Sequence, residues 1–409
     1  MREILVLNSG SSSIKFALFG VPAEADPLAL TLRFRGHLAG LGGQARLSLH
    51  DAGGRALDPT GSPLGELPAA LDHDAALERL LAWIEAHPDL GEIEAVGHRI
   101  VHGGREHTDP VRLDDATLAA LEALNSLAPL HQPYGLAPVR ALSALRPALP
   151  QVACFDTAFH AGQPAVAQTF PLPRRYREAG MVRYGFHGLS YDYINRTLNE
   201  RVLPDRAGPG EAQGAVTPGR VIVAHLGNGA SLCAIRDGVS QASTMGFTAL
   251  EGLMMGTRSG SLDPGLVLHL ILQEGMSAEA VQRLLYKESG LLGVSGISGD
   301  MRELLESDAR EAAEAIELYV YRIVREIGSL AAALGGLDHL VFTAGIGERA
   351  APVRAAVVAG CQWLGAALDE AANRADATDI AAAESRVGLW VIPTDEERMI
   401  AWYTARALE

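Results

Sequence analysis

The sequence predicts an α/β protein, because short apolar runs bounded by turn residues alternate with stretches whose apolar residues recur at helical spacing. ILVL at 4–7, QVACF at 151–155, VIVAHL at 221–226 and HLVFTAG at 339–345 each have the length and composition of a buried strand. The clearest helix runs from Ala309 to Leu334, where Ile316, Val320, Ile323, Ile327 and Leu330 form one stripe. Another begins at Asp263-Pro264, a capping Asp followed by Pro in the first turn, and continues from Leu266 to Leu272.

With 409 residues the chain exceeds one ordinary core and predicts two domains or a duplicated one. DAGGRALDPTGSPLGELP at 51–68 and PDRAGPGEAQGAVTPG at 204–219 are dense in Gly and Pro and read as surface loops, the second as a separator of subdomains. Residues 366–383 form an Ala-rich patch read as helical. VLNSGSSSIKFAL at 6–18 and HLGNGASLCAI at 225–235 share one plan: strand, then a Gly/Ser/Asn turn, then strand, with Ser13 lying over Ser231. The echo reads as a duplicated domain with two phosphate-holding hairpins.

Lys plus Arg number 34 against 49 Asp plus Glu, so the net charge of −15 repels nucleic acid and acidic membrane surfaces. A small anionic substrate would then need arginines concentrated at its site. Cys154, Cys233 and Cys361 are odd in number, far apart and without a C-x-x-C pair, which predicts a reducing compartment and neither disulfides nor zinc. MREILVLNSG breaks its apolar run after four residues, too short for a signal-peptide core or a membrane span, so a cytoplasmic protein is expected.

Several segments carry groups suited to phosphate chemistry. NSGSSSIK at 8–15 offers accessible backbone N–H groups and hydroxyls, and strand alternation puts Ser11, Ser13 and Lys15 on one face, opposite Ile14 and Phe16. An ordinary hairpin with a solvated lysine fits the same residues. No G-x-x-x-x-G-K-[ST] run occurs, so any phosphate site is not a P-loop. AGIGERA at 344–350 imitates a dinucleotide fingerprint, but the acidic residue expected about 20 positions on is replaced by the apolar stretch from Trp363 to Ala367.

GHRIVHGG at 97–104 holds Arg99, whose planar fork matches a carboxylate, beside His98 and His102, which read as polar or core histidines rather than metal ligands. Asp156 follows an apolar strand at the carboxyl end where open α/β sheets form ligand crevices, although Asp156 or Thr157 as a helix cap is equally compatible. RYGFHG at 183–188 sets His187 among aromatics, where a packed core histidine is the alternative. EGLMMGTRSGSLDPG at 251–265 puts Arg258 between glycines before a capped helix, and Asp395, Glu396 and Glu397 close the strand LWVIPTDEE, as cation ligands or as a helix start.

In order, NSGSSSIK, GHRIVHGG, SLAPLHQP, CFDTAFH, RYGFHG, HLGNGAS, EGLMMGTRSG, SGDMR, FTAGIGE and PTDEE resemble the motifs of the acetate kinase family, related to sugar kinases and actin, from Asn8 to Glu397. The resemblance implies a homodimer of duplicated actin-like (ribonuclease H-like) ATPase domains, residues 1–157 with 394–409 and residues 158–393, with Mg²⁺-ATP and acetate meeting in the cleft between them. It implies Asn8 and Glu396 as ligands of Mg²⁺, with Mn²⁺ as the substitute, and Lys15, Ser11 and Ser13 near the phosphates. The implied nucleotide side, for ATP or ADP, is His225, Leu226, Gly227, Asn228 and Gly229, then Asp300, Met301 and Arg302, then Gly345, Ile346, Gly347, Glu348 and Arg349. Arg99 would hold the substrate carboxylate, Arg258 and His187 would stabilise the transferring phosphoryl, and Asp156 would be the essential acidic residue.

Some residues depart from the family pattern. Ala249 stands where a Pro is usual and, by the same analogy, lines the pocket for the substrate methyl with Val101, Leu130 and Phe186, which leaves propionate or another short carboxylate as the alternative substrate. One methylene there is worth only about 1–3 kcal/mol. Gln132 replaces Asn, Leu189 and Tyr191 replace Thr and His, Ser261 replaces Asp, and Arg349 replaces Asn. A rival of another class is an actin-like ATPase switch, which would hydrolyse ATP with no carboxylate present.

Overall fold

The computed structural model describes residues 2–10, 12–22, 26–68, 71–87, 91–129, 131–204 and 219–409. Ser11, Leu130 and nearly all of the 204–219 loop lie outside the described residues. The chain divides into two compact units, Met1–Ala158 with Asp395–Glu409, and Phe159–Thr394.

In the first unit the strands are β1 (Arg2–Gly10), β2 (Ser13–Val21), β3 (Thr31–Ala39), β4 (Arg46–Asp51), β5 (Ile93–Ile100), β6 (Val111–Arg112) and β7 (Gln151–Phe155). They form one sheet in the order β4-β3-β2-β1-β5-β7-β6. β1, β5 and β7 run parallel, while β2 and β3 are antiparallel additions. The parallel strands are almost fully buried because helices cover both faces. On one face lie helices His73–Glu85 and Gln132–Leu145, packed on Leu5, Leu7, Phe16 and Val96. On the other lies the C-terminal helix Glu396–Arg406, against β1, β2, β5 and β7. Gly97 permits that approach, since a Cβ there would sit 2.2 Å from Thr404 Oγ1 and 2.7 Å from Ile400 Cγ2.

The second unit repeats the plan. Its strands are β8 (Arg220–Leu226), β9 (Ala230–Arg236), β10 (Val239–Ser243), β11 (His339–Thr343) and β12 (Gly388–Val391), in the order β10-β9-β8-β11-β12. Strand for strand this matches β3-β2-β1-β5-β7: an antiparallel hairpin whose first strand begins a parallel trio. The echo between residues 6–18 and 225–235 is therefore the sequence trace of a duplicated sheet. Helix Gly188–Thr197 covers one face through Tyr191 and Ile194. Helix Arg310–Leu334 lies against β8, β9 and β10.

The buried stripe of that long helix runs through Ala315, Tyr319, Ile323, Ile327 and Leu330, so Ile316 and Val320 sit at its margin rather than its centre. Asp263 caps helix Pro264–Leu272 by accepting from the Gly265 N–H. The Ala-rich stretch 366–383 departs from expectation: only Glu370–Arg374 is helical, and the rest is held by isolated bridges from Leu368 to Ala381 and from Asp379 to Trp390. Alanine lowers the cost of a helix but supplies no stripe to dock one.

Candidate active site

In the first unit, the parallel trio brings Asn8, Arg99 and Asp156 to one edge. Leu7 pairs with His98 and Arg99 with Cys154, so the residues at the carboxyl ends of β1, β5 and β7 fall in line. Arg99 meets Asp156 in a two-point pair, Nε to Oδ1 at 2.9 Å and Nη2 to Oδ2 at 2.6 Å. Its Nη1 donates to Asn8 Oδ1 at 3.4 Å, and Glu396 Oε2 lies 3.8 Å from Nε. Burial would lower the Arg99 pKa, but the charges of Asp156 and Glu396 outweigh it and hold the guanidinium above its ordinary value. Asp156 thus grips Arg99, and Thr157 Oγ1 accepts from the Gly103 N–H.

Lys15 lies opposite Asn8 in the β1–β2 hairpin and is exposed, whereas Ile14 and Phe16 are buried, as alternation requires. Ser13 is half-buried beside Gly10, and Val101 is half-buried just past β5. Asp395 is held by Arg398 and lies 3.6 Å from Arg35. Glu397 has its carboxyl pKa raised by burial and then by the charges of Glu396 and Asp395, with Lys15 opposing the rise. The oxygens of Asn8 and Glu396, both beside Arg99, are the hard donors that Mg²⁺ takes sparingly while keeping water and substrate oxygens.

The histidines flanking Arg99 have structural partners. His98 Nε2 meets Gln151 Oε1 at 2.8 Å, and His102 Nδ1 accepts from the Gly104 N–H at 2.9 Å. Burial pulls both pKa values down to about 4, so both rings are neutral. Gln132, fully buried, accepts from the His102 N–H at 3.0 Å and donates to the His102 carbonyl at 2.9 Å.

In the second unit, His187 sits at φ 59°, ψ 24°, a left-handed conformation costly for a residue with a Cβ, and begins helix Gly188–Thr197. Its backbone is fixed by His160, whose Nε2 lies 2.9 Å from the Phe186 carbonyl. Its ring stacks on His225 at 4.1 Å, and its Nδ1 meets Ser231 Oγ at 2.8 Å. A Cβ built on Gly229 would lie 3.5 Å from His187 Nε2 and 3.8 Å from Arg258 Nη1. The imidazole and the guanidinium therefore converge over the turn between β8 and β9.

Arg258 is aimed by its own loop: Nη1 donates to the Ala249 carbonyl at 2.9 Å and touches Met255 Sδ at 3.8 Å. The loop packs on the turn through Gly256, whose N–H donates to the Asn228 carbonyl at 3.1 Å. A Cβ on Gly256 would strike Asn228 Oδ1 at 2.2 Å, which accounts for a glycine at this point of EGLMMGTRSG. Ala249 thus touches Arg258, and Phe186 is a buried neighbour of His187. Ser261 accepts from the Gly252 N–H and closes the loop on itself.

Of the implied nucleotide segments, Gly227, Asn228 and Gly229 form the β8–β9 turn, with Asn228 exposed. His225 is buried with Nδ1 at 2.9 Å from Ser190 Oγ, and Leu226 and Met301 are core side chains, which leaves their backbone for any ligand. Asp300 caps the turn Met301–Leu305 and binds Arg302, whose hydrogen bonds hold its carboxyl below the ordinary range. Gly345, Ile346, Gly347, Glu348 and Arg349 fold as helix Ala344–Arg349 directly after β11, with Gly345 and Arg349 exposed. Glu348 Oε1 accepts from the Thr394 N–H at 3.2 Å.

Sequence reading missed the supporting groups. Ser190 and Thr394 hold His225, Ser231 holds His187, and Arg354, wholly buried, donates to the Gly347 carbonyl at 3.0 Å. Ser190 and Arg354 in helices and Thr394 in a loop carry no local mark of such work. Ser231 alone had a positional signal, its place opposite Ser13 in the hairpin echo.

The model of the Acetokinase family matches residues 3–402. The acetate kinase of Rhodopseudomonas palustris is 52% identical over 405 residues, covering 98% of each chain. Among solved structures, a propionate kinase from Francisella tularensis superposes with TM-score 0.87 at 34% identity, covering 98% of this chain and 99% of its own. The acetate kinase of Porphyromonas gingivalis gives TM-score 0.84 at 36% identity over 100% of both chains. With a duplicated sheet, basic groups gathered on one turn and a match along nearly its whole length, this chain belongs to the acetokinase family.

Proposed function

We propose that this chain transfers the γ-phosphoryl group of ATP to acetate, giving acetyl phosphate and ADP, reversibly. The observation that carries the reading is the convergence of Arg258 and His187 over Gly229 in a chain of the acetokinase family. Phosphoryl transfer asks a protein mainly for alignment and for positive charge around the equatorial oxygens, which a guanidinium supplies while an imidazole N–H adds a hydrogen-bond donor.

An acetate oxygen attacks the γ-phosphorus, the bond from phosphorus to the β–γ bridging oxygen breaks, and ADP leaves with that oxygen. Acetate, with a pKa of about 4 to 5, is ionised at neutral pH, so no proton has to be removed. Asp156 is therefore a positioning carboxylate: it holds the Nε–Nη2 edge of Arg99 and leaves Nη1 facing Asn8. Arg99 is the group suited to the substrate carboxylate. Asn8 and Glu396 are the residues that would hold Mg²⁺, which when bound neutralises phosphate charge. Lys15 and Ser13 face the phosphates, and the β8–β9 turn, Asp300 to Arg302 and Gly345 to Arg349 serve the nucleotide.

Propionate is the second reading, favoured by Ala249 next to Arg258 and by the likeness to a propionate kinase. We extend the proposal to a homodimer, supported by helix Pro264–Leu272, which buries none of its residues and exposes Leu266, Leu268 and Leu272. A cytoplasmic setting is supported by three buried free cysteines, Cys154, Cys233 and Cys361, whose thiols burial pushes up to about 12. Among the described residues no helix is long and apolar enough to cross a membrane.

The test is trapping of acyl phosphate with hydroxylamine in the presence of Mg²⁺-ATP and acetate, propionate, butyrate, glycerol or no acceptor. Acetate-dependent hydroxamate supports the reading. ADP release without hydroxamate and without an acceptor overturns it in favour of the ATPase switch.

A further inference from the structure

Tyr191 stands one helical turn beyond His187, and its buried hydroxyl meets Ser231 Oγ at 2.5 Å while the same oxygen lies 2.8 Å from His187 Nδ1. Among the described residues Ser231 is the single hydrogen-bond partner of the Tyr191 hydroxyl. Ser231 is fully buried on β9 and has one proton to give. Two directions of donation are open to such a chain. If the tyrosine donates to the serine, the serine donates to Nδ1, and every proton has an acceptor. If Nδ1 carries a proton and donates to the serine, either the serine donates to the tyrosine and the phenol proton is stranded, or the serine accepts from both and its own proton is stranded, at a cost of about 1–3 kcal/mol in the core.

We infer that Tyr191 is a positioning residue that fixes His187, through Ser231, as the tautomer protonated at Nε2. The inference rests on the reading of His187 as a group that stabilises the transferring phosphoryl. Nε2 is the nitrogen that lies beside Arg258 Nη1 over Gly229, so the fixed tautomer presents a donor where negative charge gathers. His225, stacked on the ring, has its own Nδ1 engaged with Ser190, and Ser231 Oγ meets His187. Burial raises the phenol pKa of Tyr191 well above its ordinary value, which keeps the hydroxyl proton in place.

The test is nitrogen NMR of the histidine rings, with the His187 signals identified by their loss in His187→Gln. The wild-type ring should show an unprotonated Nδ1 and a protonated Nε2. In Tyr191→Phe, which keeps the ring in the core, the two shifts should move toward each other. There kcat should fall about three- to tenfold, the worth of one hydrogen bond, with KM for acetate and for Mg²⁺-ATP changed less than about twofold. Ser231→Ala, checked for folding by thermal melting, should give the same spectral change from the other end of the chain. Wild-type ring shifts in Tyr191→Phe overturn the inference, whatever Ser231→Ala shows. Undiminished turnover of His187→Gln would instead overturn the catalytic reading of His187, while the ring shifts still decide the hydrogen-bond chain.

Discussion

Arg99 and Asp156 form a two-point ion pair across the carboxyl ends of neighbouring parallel strands, with Nε–Oδ1 at 2.9 Å and Nη2–Oδ2 at 2.6 Å. The carboxylate side chain is 2% exposed and the guanidinium 22%, so Asp156 has no access to water. Losing Asp156 leaves Arg99 with only the more distant Glu396 carboxylate at 3.8 Å. Asp156→Ala should therefore cost about 3 kcal/mol of stability, read by denaturant unfolding, and lower kcat by about a thousandfold or more. Asp156→Asn keeps the shape without the charge. If it retained most of its turnover, Asp156 would not matter to the reaction.

Arg258 is predicted to act on charge that develops during transfer rather than on substrate binding. Arg258→Ala should lower kcat by about a hundred- to a thousandfold and leave KM for ATP within a few fold, measured by steady-state kinetics. Arg258→Lys should recover little, because an ammonium is a point charge without the planar fork that presents several N–H donors to phosphate oxygens while Nη1 holds the Ala249 carbonyl.

Ala249 should set the balance of acyl chain lengths. Ala249→Pro keeps the carbonyl that Arg258 uses and would add bulk to the proposed pocket wall. The propionate-to-acetate ratio of kcat/KM should drop at least about fivefold, within the range of one methylene in an apolar pocket. An unchanged ratio would remove Ala249 from the pocket.

Much of this arrangement was legible in the sequence. The apolar runs gave β1, β7, β8 and β11, and the hairpin echo announced the duplicated sheet, because strands, turns and alternation are local properties. The clustering of Asn8, Arg99 and Asp156 followed once parallel strands were granted, since all three sit where such strands end. The Arg99–Asp156 pairing was not legible. A guanidinium that matches a carboxylate cannot announce from sequence whether its partner is the substrate or a residue 57 positions away. Arg354 under Gly347 and Ser231 under His187 were hidden for the same reason, as contacts made only after packing. The misread alanine stretch at 366–383 shows the converse, propensity without a face to bury.

Stability should fall on acidification through three buried histidines. His98, His102 and His160 have pKa values pulled down to about 4 by burial, against about 6.5 when unfolded. Between those values the unfolded chain binds more protons than the folded one, so stability rises with pH up to about 6.5 and is flat above it for these groups. Thermal melts should show a falling Tm from pH 6.5 toward pH 4, and His98→Leu should shallow that slope even if its Tm at neutral pH is lower.

The most direct test of the central claim, attack on ATP by an already ionised carboxylate, is phosphorus NMR of the product formed from acetate labelled with heavy oxygen in both carboxylate positions. Acetyl phosphate whose bridging oxygen carries the label is expected, seen as an isotope shift of its phosphorus signal. Unlabelled phosphate released with ADP, and no labelled acyl phosphate, would mean that water rather than acetate is the nucleophile and would contradict it.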